Sequence, residues 1–545
     1  MASLSESSNP LNVSQVNFSK AVLDQSTRLG QFAASLTIPQ IIALILGSLL
    51  FIPSLTQKKI QVHGAPVHGR RWWFEPTLWL QSRFTFGARE IVASGYKKVF
   101  KTRPFVVKRY DVDITVMPNK YLEELRLIPP TKLSAVKAQV SNLGHKWTKT
   151  TIMTESNLHF RVIQNKLIAE LPKYLDIAKT ELEYAWPIDV PNPEDWQEVD
   201  MQQMMRMLVA RMSAKVFMGY PACRDPEWLR LSIDFSLDMF TAAFTLRMFP
   251  PWTHPLVAHL IPARYKIKRN LQSAQRILTP LMKRHEDAIK RRNAGEQVEE
   301  EDTLLNWMMD HGTEDERRVD KMSTRQAILT LASIHTTSMA VANILFDLCA
   351  YPEWFPVLRE EIDEITEELG PIGSSPESGA KQWLPRLEKL DSFFIESQRV
   401  NPPILLGPQR EALEPLTLKD GTYIPKGSRI SWAGHHHMND PAITPNPEAF
   451  DPMRSYRKRH ASPDQMNKHL AGQTSPDNLA FGYGKLACPG RAFSVGEIKL
   501  ILARLIRQYD FKFPEGKTRP LNMYADENVF PDPEGRIVMR RRKEE

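Results

Sequence analysis

Phe481-Gly482-Tyr483-Gly484-Lys485-Leu486-Ala487-Cys488-Pro489-Gly490-Arg491 places one cysteine in a glycine-rich loop directly ahead of an amphipathic stretch, and no other part of this sequence restricts the fold so tightly. Glycines let the backbone press against a flat macrocycle. The N-terminus of the helix that follows stabilises negative sulfur, and loop amides donate hydrogen bonds to it. A single thiolate so placed is one axial ligand of a haem iron. Only Cys223, Cys349 and Cys488 occur in 545 residues, too few for a disulfide framework or a four-thiolate zinc site. With this composition, a chance F-x-x-G-x-x-x-C-x-G is expected on the order of once in a few thousand such sequences.

A second constraint lies at the other end. No charge occurs from Leu29 to Gln57, and Leu36 to Leu55 supplies the roughly 20 apolar residues that a bilayer core requires. A cleavable signal would open with a basic region and a shorter apolar run, whereas here a long polar stretch comes first. Lys58, Lys59, Arg70 and Arg71 follow the run, so positive charge places the C-terminal side in the cytosol. The expected organisation is a lumenal N-terminus over 1–35, a transmembrane anchor over 36–55, a Pro/Trp hinge over 56–75, and one body over 76–545. Asn12 and Asn17 head N-x-S triplets and would be glycosylation acceptors on the lumenal side. The alternative for the apolar run is a buried core helix, which Pro39 and Pro53 mildly favour.

A net charge of +8 without a clustered stripe does not mark a nucleic-acid binder, and 42% apolar residues with 25% charged exclude a disordered chain. No repeat of about 20–50 residues is visible, which removes solenoids and propellers. Phe105 to Pro118 alternates like a hairpin, and Leu418 to Ile424 brackets an Asp-Gly turn. Between about 150 and 400, apolar residues recur at three and four, as in Met204-Met205-Leu208-Val209-Met212, while Lys283 to Glu301 reads as a solvated face. The spacing of Ser323 and Gln326 predicts a capping box that opens a long helix ending at Pro352. Its centre carries Thr330, Ser333, His335, Thr336, Thr337 and Ser338, hydroxyls that favour a local bulge or widened groove. The fold class is therefore mainly α with small β-sheets.

Glu396 and Arg399, at i and i+3, share a helix face, and Arg454 offers the carboxylate a second bidentate partner. Taken with the cysteine loop, Glu396-Ser397-Gln398-Arg399 and Pro447-Glu448-Ala449-Phe450-Asp451-Pro452-Met453-Arg454 stand in the order of the E-x-x-R and P-x-x-F-x-P-x-R motifs. On these residues the chain resembles the cytochrome P-450 superfamily of haem-thiolate monooxygenases, from about Gly64 to Arg542. The resemblance implies a large cytochrome P-450-like body holding haem b, with Cys488 as its metal ligand and Phe481, Gly484 and Gly490 shaping the cofactor loop. It also implies a buried network of Glu396, Arg399 and Arg454. Arg410 is implied as a propionate partner; Leu486 stands where many members carry arginine or histidine, so Lys485 or a residue near Arg161 would compensate. Ala332-Ser333-Ile334-His335-Thr336-Thr337 resembles the oxygen-activating A-G-x-D/E-T-T. Thr336 would guide proton delivery, and His335, in place of the acid, would relay protons because its ordinary pKa lies near neutrality.

By resemblance, Ile404, Leu405, Leu406, Val529, Phe530 and the stretch near Ala327 and Ile328 line the substrate pocket. Phe235 to Pro262 reads as a substrate roof dipping into the membrane, with core packing as its competitor. The implied activity is oxidation of a lipophilic secondary metabolite, a diterpene or meroterpenoid, with O2. No flavin is bound; electrons come from an NADPH-cytochrome reductase, with cytochrome b5 as a second donor. The implied location is the endoplasmic reticulum membrane, single-pass, with a cytosolic catalytic domain. Two alternatives remain: a haem-thiolate isomerase or dehydratase that needs no reductase, and a non-catalytic haem sensor. Gly482 to Ala487 also fits a dinucleotide-binding G-x-G-x-x-A, but no β-branched strand precedes it. His435-His436-His437 are too close together to turn onto one metal and read as a surface or loop feature. Arg454 to His460 with Lys468 reads as solvated charge, or as a dock for an acidic flavoprotein.

Overall fold

The computed structural model describes Thr37, residues 60–97 and residues 103–543. Apart from Thr37, the expected lumenal segment, the anchor, and Asn12 and Asn17 lie outside the described residues. The body is described from Ile60 onward, and the expected hinge is partly built into it. Val62 and Ala65 are buried, and Val67 bridges Val106 in parallel, because apolar residues there complete a sheet edge. Trp72, Trp73 and Phe74 stay exposed.

The helices of eight residues or more among the described residues are α1 (Thr77–Gly95), α2 (Ala135–Asn142), α3 (Leu171–Asp189), α4 (Met201–Met218), α5 (Pro226–Arg247), α6 (Pro262–Asn293), α7 (Leu304–His311), α8 (Val319–Ala350), α9 (Trp354–Leu369), α10 (Glu388–Val400) and α11 (Arg491–Gln508). The strands are β1 (Phe105–Lys108), β2 (Asp113–Val116), β3 (Leu133–Ser134), β4 (Gln197–Val199), β5 (Arg410–Ala412), β6 (Leu416–Thr417), β7 (Tyr423–Ile424), β8 (Arg429–Ser431), β9 (Tyr509–Lys512), β10 (Met523–Ala525), β11 (Asn528–Phe530) and β12 (Ile537–Arg541). They form a five-stranded sheet in the order β1-β2-β8-β5-β3, a three-stranded sheet β4-β12-β9, and the hairpins β6–β7 and β10–β11.

The hairpin read from Phe105 to Pro118 pairs Phe105 with Val116, and β2 then runs parallel to β8. Its alternation suggested one wet face, yet β1 is buried along its whole length because α1 packs with Phe105 and Val107 on one face while Val62, Ala65, Tyr121 and Leu122 pack with Val106 on the other. At the Asp-Gly turn, Leu416 pairs with Ile424 and Gly421 has φ +85°, a left-handed conformation that glycine adopts freely. The heptad-like methionines of α4 are buried nearly all round, because α3 and α8 pack on both sides of it.

The long helix α8 differs from expectation at its start. It opens at Val319, four residues before Ser323, whose Oγ donates to the Asp320 carbonyl at 3.1 Å instead of capping. No bulge interrupts its centre, because the hydroxyls close on their own helix: Thr330 and Thr336 donate to the carbonyls of Gln326 and Ala332 at 2.7 and 2.8 Å, and Ser338 to that of His335 at 3.2 Å. It is long and apolar enough to cross a membrane, but it runs through the main core with α3, α4, α9, α10 and α11. A smaller core joins α1 to the five-stranded sheet and includes Phe84, Phe105, Leu405, Leu406 and Val529.

Candidate functional site

Of the three cysteines, Cys223 is buried, Cys349 half-buried and Cys488 exposed. Burial pushes the Cys223 thiol up to about 12, and Cys349 is raised further by the same cause. Only Cys488 is placed to react or ligate. Its loop is closed by its own N–H, which donates to the Phe481 carbonyl at 2.8 Å. Gly482 and Gly484 have φ +80° and +72°, and a Cβ on Gly484 would meet the Arg126 Cβ at 2.9 Å. The chain then turns through Pro489-Gly490 into α11, whose first amides, of Gly490 and Arg491, point at the sulfur. Although its surface is open, Cys488 lies deep within the body, and that desolvation raises the thiol above its ordinary pKa, while those two N–H groups and the Arg491 charge act in the opposite direction. A donor set of this kind favours a thiolate bound to a cation over a free thiol. Phe481 is half-buried and packs on the main core, which fixes the loop from behind.

A buried ion network is built on α10. Arg399 meets Glu396 in a fork, Nη2 to Oε1 at 2.6 Å and Nε to Oε2 at 2.9 Å, and Arg454 Nε reaches the same Oε1 at 3.2 Å. Arg399 Nη1 donates to the Pro447 carbonyl at 2.8 Å and to Asn439, and Arg454 donates to the carbonyls of Pro445 and Asn446 at 2.6 and 2.7 Å. Glu396 also accepts the Asp451 amide at 2.9 Å. The i, i+3 pair thereby pins the meander around Asn446 to α10.

Ala332 and Thr336, one turn apart on α8, are exposed although the helix around them is buried. This opens one stripe of the helix to an internal cleft. The next residue, Thr337, bonds Ser494 of α11 at 2.9 Å, so the helix carrying Thr336 is tied to the helix that begins beside Cys488. Arg410 enters from β5. It is 1% exposed, donates only to the carbonyls of Leu125 (3.0 Å) and Tyr483 (3.1 Å), and its Nε has no partner. Burial without an acid pulls its pKa down to about 10. A buried, uncompensated guanidinium beside the cysteine loop fits an anionic ligand group. Cys488, its amides, the open stripe of α8 and the acid-free Arg410 together fit a haem.

Several expectations are corrected. His335 is turned away from the open stripe: its Nε2 faces the Ile233 carbonyl at 3.3 Å, and its ring lies against Phe240. Burial pulls its pKa down to about 4, so it is neutral and unsuited to a relay near pH 7. Arg161 is held by Glu316 at 3.3 Å and Lys485 points outward, so neither compensates for Leu486. Leu405 and Leu406 are packed in the α1–sheet core, and Ala327 and Ile328 are buried as well. Ile404, half-buried, bridges Asn528, and Phe530 meets Phe244 of α5 at 5.9 Å. Val529 is buried with Leu405.

The three histidines occupy a short helix, Gly434–Met438, rather than a surface loop. His437 is buried and binds Asp477 at 2.8 Å and Tyr96 at 3.3 Å. The basic run is laced with acids: Arg459 and His460 share Glu388 at 3.1 and 2.7 Å, and Arg457 pairs with Asp451. Sequence reasoning also passed over His159, buried with Nδ1 unpartnered and its pKa pulled down to about 4 by burial and then by Arg325. No local pattern marks that histidine, because its environment is made by distant helices.

Comparison with known proteins gives one family and close relatives. A family model described as Cytochrome P450 matches residues 144–539. The chain is 43% identical to the cytochrome P450 monooxygenase sdnB of Sordaria araneosa over 93% of each chain. It is 45% identical to the cytochrome P450 monooxygenase ATR4 of Stachybotrys chlorohalonatus over 88% of this chain and 90% of that one. It is 37% identical to the ent-kaurene oxidase P450-4 of Gibberella fujikuroi over 88% of this chain and 92% of that one.

Proposed function

The chain belongs to the cytochrome P450 family and is a monooxygenase; from that premise we propose that its substrate is a lipophilic terpenoid of secondary metabolism. The observation that carries the reading is the exposed Cys488 under the paired amides of Gly490 and Arg491. When bound, a thiolate-ligated haem activates dioxygen, so that one oxygen atom enters a substrate C–H or C=C bond and the other leaves as water, at the cost of two electrons and two protons.

The chain's own residues do the rest. Cys488 would hold the iron and Arg410 a propionate. Thr336, its O–H committed to the Ala332 carbonyl at 2.8 Å, turns lone pairs toward the cleft, where it accepts and orders a proton donor. Half-buried Phe244, Ile404 and Phe530 offer an apolar wall that orients a hydrocarbon and excludes water. A terpenoid is favoured by this wall and by the similarity to relatives named ent-kaurene oxidase.

The α5–α6 connection exposes Met248, Phe249, Trp252, Leu256 and Leu260, an apolar patch suited to a lipid surface through which such a substrate would enter. With an anchor over 36–55 it would place the body on the cytosolic face of the endoplasmic reticulum, and an NADPH-cytochrome reductase, aided by cytochrome b5, would supply electrons.

The test is the absorption spectrum of the ferrous carbon-monoxide complex in purified membranes, followed by turnover of ent-kaurene with reductase and NADPH. A strongly red-shifted Soret band, abolished in Cys488→Ser, is expected. Its absence from folded, haem-supplied protein overturns the site.

A further inference from the structure

The two elements that supply the aromatic wall also carry a buried polar cluster. Arg247 follows Phe244 by about one turn of α5, and its guanidinium lies over that ring, 5.1 Å from the centroid. Asp526 and Glu527 form the turn of the β10–β11 hairpin, just ahead of Phe530. Nε and Nη2 of Arg247 donate to the Asn142 carbonyl of α2 at 3.0 and 2.7 Å. Its Nη1 has no hydrogen-bond partner among the described residues and stands 3.9 Å from Asp526 Oδ2. Asp526 Oδ1 is likewise without a donor there. Glu527 takes Arg109 at 2.5 Å and Gln409 at 2.8 Å, both on Oε1, and its Oε2 receives nothing.

One donor and two acceptors are therefore buried and open beside the wall, where folded chains normally pair such groups. The charges around them select what can fill the gap. Arg109 also holds Asp111 at 2.6 Å, and Arg429 holds Glu411 at 3.0 Å, so three guanidiniums face four carboxyls. A carboxylate guest would add to the acid excess, and an ammonium would meet Arg247. A ketone oxygen accepts from Arg247 but offers Asp526 no proton. A hydroxyl does both at once. The Asp526 carboxyl, raised to about 6 by burial and then by Glu527, is still mostly ionised near pH 7 and so accepts.

We propose that this cluster recognises an alcohol: the substrate carries a hydroxyl whose oxygen accepts from Arg247 Nη1 and whose proton is donated to Asp526 Oδ1. The inference deepens the terpenoid reading above and rests on it. The half-buried Phe244 ring, which contacts both Arg247 and Phe530, swings aside to admit the hydroxyl while the hydrocarbon part stays against the wall. The substrate is then one that an earlier step has already oxygenated, either a hydroxylation or the capture of water by a carbocation during ring closure. Arg247 and Asp526 thereby set specificity, because a plain hydrocarbon leaves both of them unpaired.

The test is a set of equilibrium titrations of the full-length, haem-loaded protein in phosphatidylcholine vesicles, read by the shift of the Soret band on ligand binding. Four probes share one skeleton: ent-kaurene, the primary alcohol ent-kaurenol, the tertiary alcohol ent-kauran-16-ol and the carboxylate ent-kaurenoic acid. At least one alcohol is expected to bind about tenfold or more tightly than both the hydrocarbon and the carboxylate. In Arg247→Met that advantage should fall to about twofold or less, and Arg247→Lys should restore part of it. Asp526→Gly should have the same effect as the methionine variant, and glycine suits the left-handed backbone there, φ +50°. Variants that weaken hydrocarbon and alcohol alike, with the ratio unmoved, overturn the proposal. So do wild-type alcohols that give no shift or bind no tighter than ent-kaurene, the mark of a cluster filled by ordered water only, and so does a carboxylate that binds tightest. The carbon-monoxide spectrum of the same samples separates the readings: a red-shifted band with equal affinities removes the alcohol site alone, while no such band removes the haem-thiolate site.

Discussion

The ground beneath the cleft and the wall around it are built by different means. Beneath, Glu396 and Arg399 sit three residues apart on one helix and the Cys488 loop is a single short segment, and the carboxylate and the two arginines are met by forked contacts or backbone carbonyls. Around the cleft, Phe244 of α5 meets Phe530 of β11, and near them lie the buried Arg247, Asp526 and Glu527: Arg247 reaches Asp526 only at 3.9 Å, Glu527 takes Arg109 at 2.5 Å on one oxygen, and Asp526 Oδ1 and Glu527 Oε2 accept no hydrogen bond among the described residues. The first region holds the iron-ligand chemistry and is over-determined by hydrogen bonds. The second is assembled from parts hundreds of residues apart and is held mainly by packing and imperfectly paired charge. Rigidity is placed where the iron ligand must not move, and adjustability where a substrate must be admitted.

The sharpest way to break this contrast is at its rigid side. Cys488→Ser is expected to abolish the red-shifted carbon-monoxide band and all monooxygenase turnover while leaving the fold intact, since an exposed side chain is exchanged for a near-isostere. Arg399→Ala is expected to cost about 3–5 kcal/mol, because it removes the forked partner of the buried Glu396 carboxylate, leaving Oε2 unpaired, and frees the Pro447 carbonyl. Urea unfolding of the haem-loaded protein checks it; a loss under about 1 kcal/mol would show that the network does not carry the meander.

What was legible in the sequence divides along the same line. Glu396, Arg399, Arg454 and Cys488 were readable because their chemistry sits in short motifs, and a carboxylate three residues from an arginine on one helix has little choice of partner. The helical middle and the two hairpins were readable from period and turn residues. The opening of α8 was not: a capping pattern at Ser323 lost to tertiary packing, which extends the helix back to Val319. His335 also defied its motif, because which way a helical side chain turns is decided by the helix packed against it, here α5. Leu405 and Leu406 look like pocket residues in any apolar run, and only the position of α1 over the sheet turns them into core.

The adjustable side yields smaller effects. Thr336→Ala is expected to leave the carbon-monoxide band and stability unchanged but to lower product formed per NADPH consumed about tenfold, since the exposed hydroxyl serves proton delivery and little else. Product yield per NADPH, measured with ent-kaurene and reductase, checks it, and an unchanged ratio removes Thr336 from proton delivery.

Asp526 provides the finest test, because it shows whether the charges behind the wall are held as loosely as their unpartnered atoms suggest. Its carboxyl is raised above the ordinary aspartate range by burial and by the neighbouring Glu527 charge, against the pull of Arg109 and Arg247. The folded state therefore prefers the protonated acid more than the unfolded chain does. The sign follows: the unfolded chain releases this proton first, so the group's contribution to stability is complete below about pH 4 and is lost as pH rises through the folded value. Asp526→Asn cannot ionise and is expected to flatten the fall of stability between pH 4 and about 6, with little change at the acid end. Thermal unfolding of the haem-loaded protein across that window is the measurement. An unaltered slope would mean that Arg109 and Arg247 hold Asp526 ionised, and the contrast between the two regions would then fail at its charged layer.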